Sequence, residues 1–247
     1  MSYSVSPLDL LVRKLSTRVH LDDADRNAVL GLPHTSRSYH STTYLIREGE
    51  PPRTNCALVE SGFAYRHKLT AAGGRQIVSL HLPGDFIDLQ NLFLSISDHN
   101  VQALTELDVL EIDRQALRQL TLERPAVGQA MWIDGLVDSS VYREWVVNVG
   151  RRDARARIAH VLCEVALRAE VAGIGSKERF ELPMTQEQLA DVTGLTSVHV
   201  NRMLKALEAE GIIKRDKRQV SFSSWGAIKR VADFNALYLH LDQVQPN

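Results

Sequence analysis

The stretch Met184 to Ile213, MTQEQLADVTGLTSVHVNRMLKALEAEGII, constrains the chain more than any other, because it spells two short helices joined by a tight turn. Thr185 offers an N-cap oxygen, Glu187 places an acid in the first turn, and Leu189, Ala190 and Val192 form an inward face before Thr193-Gly194 breaks the helix. Thr196 then caps a second helix. With Val200, Leu204 and Leu207 buried at i, i+4 and i+7, the opposite side carries Val198, Arg202 and Lys205, flanked by His199 and Asn201. That face holds base-reading chemistry. Arginine can donate two parallel hydrogen bonds to guanine, asparagine can bond adenine in both directions, and the Thr196 and Ser197 hydroxyls lie where a helix N-terminus meets a groove or a phosphate. Thr196 to Glu208 therefore reads as a recognition helix, although the pair alone would also suit a helical hairpin packed on a neighbour.

The residues that follow favour nucleic acid. Ile212-Ile213 and Val220-Ser221-Phe222 read as two strands around the basic turn Lys214-Arg215-Asp216-Lys217-Arg218, with Phe180-Glu181-Leu182 as a third. A basic hairpin beside a recognition helix is a wing: its cations lie along phosphates and supply affinity while the helix reads bases. The candidate DNA contacts are Thr185, Thr196, Ser197, His199, Asn201, Arg202, Lys205, Lys217 and Arg218.

At 247 residues the chain can bury a good core in two domains, and its net charge of -1 hides an asymmetry. Residues 1–150 hold 14 Lys and Arg against 18 Asp and Glu, and residues 151–247 hold 15 against 12, so only the second half is basic. Without a membrane-spanning apolar run or a signal-peptide pattern, a soluble cytoplasmic protein is expected. The two cysteines, Cys56 and Cys163, form no pair motif and suit buried apolar positions in a reducing compartment. Two thiolates are too few for an iron-sulfur cluster, which needs about four. A redox role for Cys163 would require a lowered thiol pKa.

In chain order, Ser6 to Thr17 and Asp22 to Leu32 read as amphipathic helices. From His34 to Ile112 short apolar segments alternate with glycine and proline (Thr43–Ile46, Cys56–Val59, Gly62–Lys68 and Gln76–Leu80, then Asn100–Ile112), as in an antiparallel roll. Ala72-Gly73-Gly74 reads as a hairpin turn and Pro83-Gly84-Asp85 as a break. Asp113 caps a helix to Leu120, and Pro125 opens a longer one to about Asn148. The longer helix carries Val127, Met131, Val137, Val141 and Trp145, broadened by Ile133, Leu136 and Val147. Such a stripe can pack on its own roll or on a second copy, and its width favours a dimer. A hinge is expected at Gly150-Arg151-Arg152, a helix from Asp153 to Ala172, and a last helix from Ser223 or Ser224 to about Leu237. The expected divisions are a sensor roll with N-terminal helices at 1–122, a dimerisation helix at 123–150 and a winged helix-turn-helix at 151–247.

This α+β order resembles the Crp-Fnr superfamily from about Leu30 to Phe222. The resemblance rests on Gln186-Glu187-Gln188-Leu189-Ala190, Gly194-Leu195-Thr196 and Val200-Asn201-Arg202 with Leu204, together with Gly49, Gly62 and Pro83-Gly84-Asp85. It implies a cyclic-nucleotide-binding-type roll, a dimerisation helix and a homodimeric regulator that binds palindromic promoter sites on double-stranded DNA, with RNA polymerase as a partner if it activates. The family's recognition arginine maps onto Arg202. The glutamate found four residues earlier in the best-known members maps onto Val198, which cannot accept a bond from cytosine. Cyclic-nucleotide-binding members clamp the phosphate with a Gly-Glu pair and an Arg-Ser or Arg-Thr pair. Here Phe86 to Ala103, FIDLQNLFLSISDHNVQA, holds neither Arg nor Lys, so a phosphate would be buried uncompensated and cyclic AMP is not the expected ligand. Heme at His67 or His81 is a weaker option than an ordinary strand histidine.

Two other classes compete with this reading. A small-molecule-sensing module with weak or vestigial DNA binding draws support from Val198 but not from the basic wing. A metal-dependent enzyme on the roll would need a His-x-His pair and a following glutamate, and none is present, so neither catalysis, a cofactor nor a metal is expected.

Overall fold

A computed structural model describes residues 6–241. Among the described residues the chain divides into two units: 6–66, 80–140 and 239–241 form one, and 67–79 with 141–238 form the other. No helix among the described residues is long and apolar enough to cross a membrane.

The first unit is organised by two strands buried on both faces, β3 (Asn55–Ser61) and β7 (Leu107–Asp113). They pair antiparallel with Leu58 opposite Leu110 and Cys56 opposite Ile112, and β1 (His34–Tyr39) closes the order β1-β7-β3. Because side chains alternate, Cys56, Leu58, Leu110 and Ile112 enter one core while Val59, Leu107 and Val109 enter another. The first core is completed by α1 (Asp9–Ser16), α2 (Asp23–Leu30), α3 (Arg114–Glu123) and the start of α4 (Pro125–Arg151), through Leu11, Leu15, Val29, Leu117, Val127 and Met131. The second core lies inside the roll, with Leu45 and Ile46 of β2 (Tyr44–Ile46), Ala64 of β4 (Ala64–Leu69) and Val101 and Ala103 of β6 (Asn100–Ala103). These strands form a sheet in the order β2-β6-β4-β5, where β5 is Arg75–His81. The N-terminal helix is also pinned by charge: Lys14 Nζ lies 2.6 Å from Asp85 Oδ1, and Lys14 and Arg18 lie 3.5 and 3.1 Å from Asp134 of α4.

Most elements fall where the sequence puts them, including the Gly73 turn (φ 82°) and the Asp113 cap, whose side chain accepts from the Ala116 N–H. Three differ. β1, HTSRSY, has no apolar alternation because both its faces are largely exposed, so its place rests on backbone pairing with β7 and on polar bonds from Arg37, Ser38 and Tyr39 to Asp108 and Glu111. The long helix runs on to Arg151, and the Asp153 cap begins α5 (Ala154–Val171) two residues later. The last helix, α8 (Trp225–Ala232), is shorter than expected: Asp233 adopts a left-handed conformation (φ 47°) that ends it, and a single 3₁₀ turn, Ala236–Leu239, follows.

The apolar stripe of α4 is split. Val127, Met131, Val137, Val141 and Trp145 are buried within the chain, whereas Leu136 and Val147 are exposed, together with Trp132 and Val146. Trp145 is held by its indole N–H, which donates to Glu164 Oε2 at 2.9 Å.

Gly62 is the tightest glycine of the roll. It sits at φ 79°, and a Cβ there would lie 2.1 Å from the Glu106 carbonyl oxygen. Both effects oppose any side chain, so Gly62→Ala should cost about 2–4 kcal/mol and lower Tm by several degrees in a thermal melt. Gly73→Ala, where a Cβ meets nothing within 4 Å, should cost less.

Candidate nucleic-acid interface

The second unit builds its surface from α5 outward. Ile158, Ala159, Leu162, Val165 and Ala166 are buried along α5, against which α6 (Gln186–Thr193), α7 (Ser197–Ala209) and α8 pack. The α6–α7 turn is fixed by hydrogen bonds. Gly194 takes the left-handed cap (φ 65°), Thr193 Oγ1 donates to the Leu189 carbonyl at 2.7 Å, and Arg157 of α5 donates to the Thr193 carbonyl at 3.1 Å. At the other end of α6, Thr185 and Gln188 form a reciprocal capping box. The hairpin His67–Ser79 belongs to the same unit: Arg75 Nε reaches Asp191 of α6 at 2.7 Å, and Gln76 donates to the Val192 carbonyl.

Helix α7 is one-sided. Val200, Leu204 and Leu207 are buried at 0, 2 and 0 % exposure, so the helix cannot rotate about its axis without opening the core. Ser197, Val198, Arg202 and Lys205 stand exposed, and His199 and Asn201 are half-buried beside them. Thr196 is spent partly on structure, since its Oγ1 accepts from the His199 N–H at 3.2 Å. Thr185 Oγ1 likewise accepts from the Gln188 N–H, at 3.2 Å. Each hydroxyl keeps its proton to donate outward.

The wing is a three-stranded sheet in the order β8-β10-β9, from Arg179–Glu181, Gln219–Phe222 and Ile213–Asp216. Its inner face is aromatic, with Phe180 and Phe222 at 5.5 Å between ring centroids. The basic run is shared between the strand and a two-residue turn, Lys217-Arg218, and does not present all its cations equally. Arg215 is half-buried and bonded to Glu208 of α7 at 2.7 Å, which holds the Glu208 carboxyl below its ordinary range and ties the wing to the recognition helix. Arg218 is exposed, 3.9 Å from Glu181. Lys214 and Lys217 are exposed, and Lys217 occupies the tip at φ 54°. Among the sequence candidates, Ser197, His199, Asn201, Arg202 and Lys205 thus share one helix face, with Lys217 and Arg218 on the wing. Lys214 is expected in the basic turn but not singled out by sequence as a contact, because nothing in a basic run says which members will be tied down.

In the roll, a buried cation from another strand reaches the segment Phe86 to Ala103. Arg66 of β4 is 8 % exposed and donates to the Ile87 carbonyl at 2.9 Å and to Gln90 Oε1 at 3.4 Å, inside the region that carries no cation of its own. Burial pulls its pKa down, and the carboxylates of Asp138, Asp98 and Asp88 oppose that. Asp88 is itself pushed up to about 7 by burial, against the stabilising Ala57 N–H at 2.9 Å. Both cysteines are fully buried, and burial pushes the Cys163 thiol up to about 12, the wrong direction for a reactive thiolate.

Residues 36–124 match the family model for the cyclic nucleotide-binding domain, and residues 156–231 match the Crp-like helix-turn-helix domain. The transcriptional activator protein FnrL of Cereibacter sphaeroides is 31% identical over 80% of each chain. The chain belongs to the Crp-Fnr family. It is a DNA-binding transcriptional regulator. The nitrogen fixation regulation protein FixK of Azorhizobium caulinodans is 26% identical over 72% of this chain and 71% of its own. Among solved structures, FixK2 from Bradyrhizobium japonicum superposes with a TM-score of 0.74 at 25% identity, covering 81% of this chain and 98% of the other.

Two substitutions should separate reading from holding. Arg202→Ala should lose about 1–3 kcal/mol of discrimination between operator and random DNA, measured by competitive gel shift, with the circular dichroism spectrum unchanged. Lys217→Asn keeps a residue type that tolerates the left-handed backbone. It should weaken binding to all sequences alike and reduce the slope of log affinity against log salt by about one.

Proposed function

We propose that this Crp-Fnr regulator binds palindromic promoter DNA as a homodimer, with Ser197, His199, Asn201, Arg202 and Lys205 in the major groove. Thr185, Thr196, Lys217 and Arg218 hold the phosphates. The observation that carries this reading is the outer face of α7: polar, basic and exposed on a helix whose inner side is buried. Its role is regulation rather than catalysis, and as FnrL is named an activator, RNA polymerase is the further partner we propose. Two-fold symmetry then sets half-site centres about 34 Å apart, one turn of DNA, or a multiple of it.

The exposed residues of α4 support the dimer. Exposed Trp132, Leu136, Arg143 and Val146, with half-buried Ser139 between them, follow steps of 4, 3, 4 and 3, the spacing of a coiled-coil seam, and Trp132, Leu136 and Val146 are 73, 54 and 69 % exposed. Large apolar side chains left bare at that spacing suit a second copy of the same helix. The double variant Leu136→Asp, Val146→Asp should sediment as a monomer and lose operator affinity by more than a hundredfold, while Lys205→Ala sediments like the wild type.

Control without cyclic AMP is part of the same proposal. Arg66 is a buried cation of the roll, and three carboxyl groups already act on it. A cyclic phosphate would add negative charge beside the carboxyl groups of Asp88, Asp98 and Asp138, in a place where burial already disfavours the charged form of Asp88. Isothermal titration with cyclic AMP at millimolar concentration should give no binding heat, and operator affinity should be unchanged by the nucleotide. A saturable heat would overturn this part.

A further inference from the structure

One residue of the α7 face has no role in the reading above. Val198 is 79 % exposed in the first turn of the helix, among Thr196, Ser197, Asn201 and Arg202. A branched apolar side chain gains little in that place as an isolated helix residue: it is less favourable there than alanine, and it buries little surface in the chain. Its position is nonetheless shared with the base-reading groups. Val198 lies four residues before Arg202 and three before Asn201, so all three project from one stripe.

We propose that Val198 reads the C5-methyl group of a thymine in the operator half-site, an inference that rests on the DNA-binding reading of α7. The base edges of the major groove present one apolar group, that methyl; the other positions are donors and acceptors, which an isopropyl group would desolvate without replacing their bonds to water. Val198 therefore selects in two ways. It gains by covering a methyl, and it penalises cytosine, adenine and guanine edges in the same place. Four residues of helix advance about 6 Å, so the thymine falls within about two base pairs of the guanine bonded by Arg202. This assignment replaces the glutamate–cytosine contact that the corresponding position would make.

The test begins with selection of an operator from a random duplex library by the full-length protein. Each thymine of the selected half-site is then replaced, one at a time, by deoxyuridine, which removes the methyl and leaves the hydrogen-bonding edge intact. One position, near the Arg202 guanine, should lose about threefold to fivefold in affinity per half-site, the worth of one buried methyl. Val198→Ala, a surface change whose fold is checked by circular dichroism, should bind the deoxyuridine and thymine operators with nearly equal affinity. The cycle separates a lost contact from a change in the DNA itself. Absence of any deoxyuridine-sensitive position, or a penalty of the same size in Val198→Ala, would overturn the inference while leaving the regulator intact. Enrichment of no sequence at all would overturn both.

Discussion

A helix can read a groove only if one side is held and the other is left bare, and that division governs the second unit. Val200, Leu204 and Leu207 anchor α7 in the core, and the left-handed cap at Gly194 sets its angle to α6. Arg157, buried in purpose though not wholly in surface, joins α5 to the turn by donating to the Thr193 carbonyl. The Arg215–Glu208 pair then attaches the wing to the same helix. A partly exposed ion pair of this kind contributes little to stability, so its effect is chiefly positional: it fixes where the remaining wing cations lie.

The roll obeys a different constraint. β3 and β7 are apolar on both faces because helices cover one side of their sheet and the roll interior the other. The N-terminal helices are thus part of the core that α4 starts from. Their charged contacts, Lys14 and Arg18 with Asp85 and Asp134, link the first helix, the loop at Pro83-Gly84-Asp85 and the long helix within that unit.

Periodicity exposed the elements whose burial is one-sided. Both faces of α7 were legible because its apolar residues repeat at 3.6 and its polar ones fill the gaps, and the wing was legible through two short apolar runs around a basic turn. β1 was not, since its six residues are held by a backbone ladder and a few polar cross-strand bonds, neither of which leaves an apolar period. The break at Asp233 was hidden for a similar reason: the left-handed backbone is local, and the apolar spacing continues past it to Leu237. In α4 the stripe was visible but not its division between the chain's own core and the outside, because Met131 and Trp132 are neighbours in sequence with opposite fates. Arg66 was missed because a buried cation can be contributed by a strand some twenty residues from the segment it serves.

Lys217 shows what the wing tip gives up. Its backbone adopts a conformation that glycine takes without penalty and that a side chain with a Cβ enters at a cost of about 1 kcal/mol. Glycine there would make a calmer hairpin and a neutral one. Lysine at that bend keeps a cation at the wing tip at the expense of local backbone ease; under the proposed phosphate-holding role, a glycine variant would gain stability and lose attraction for DNA.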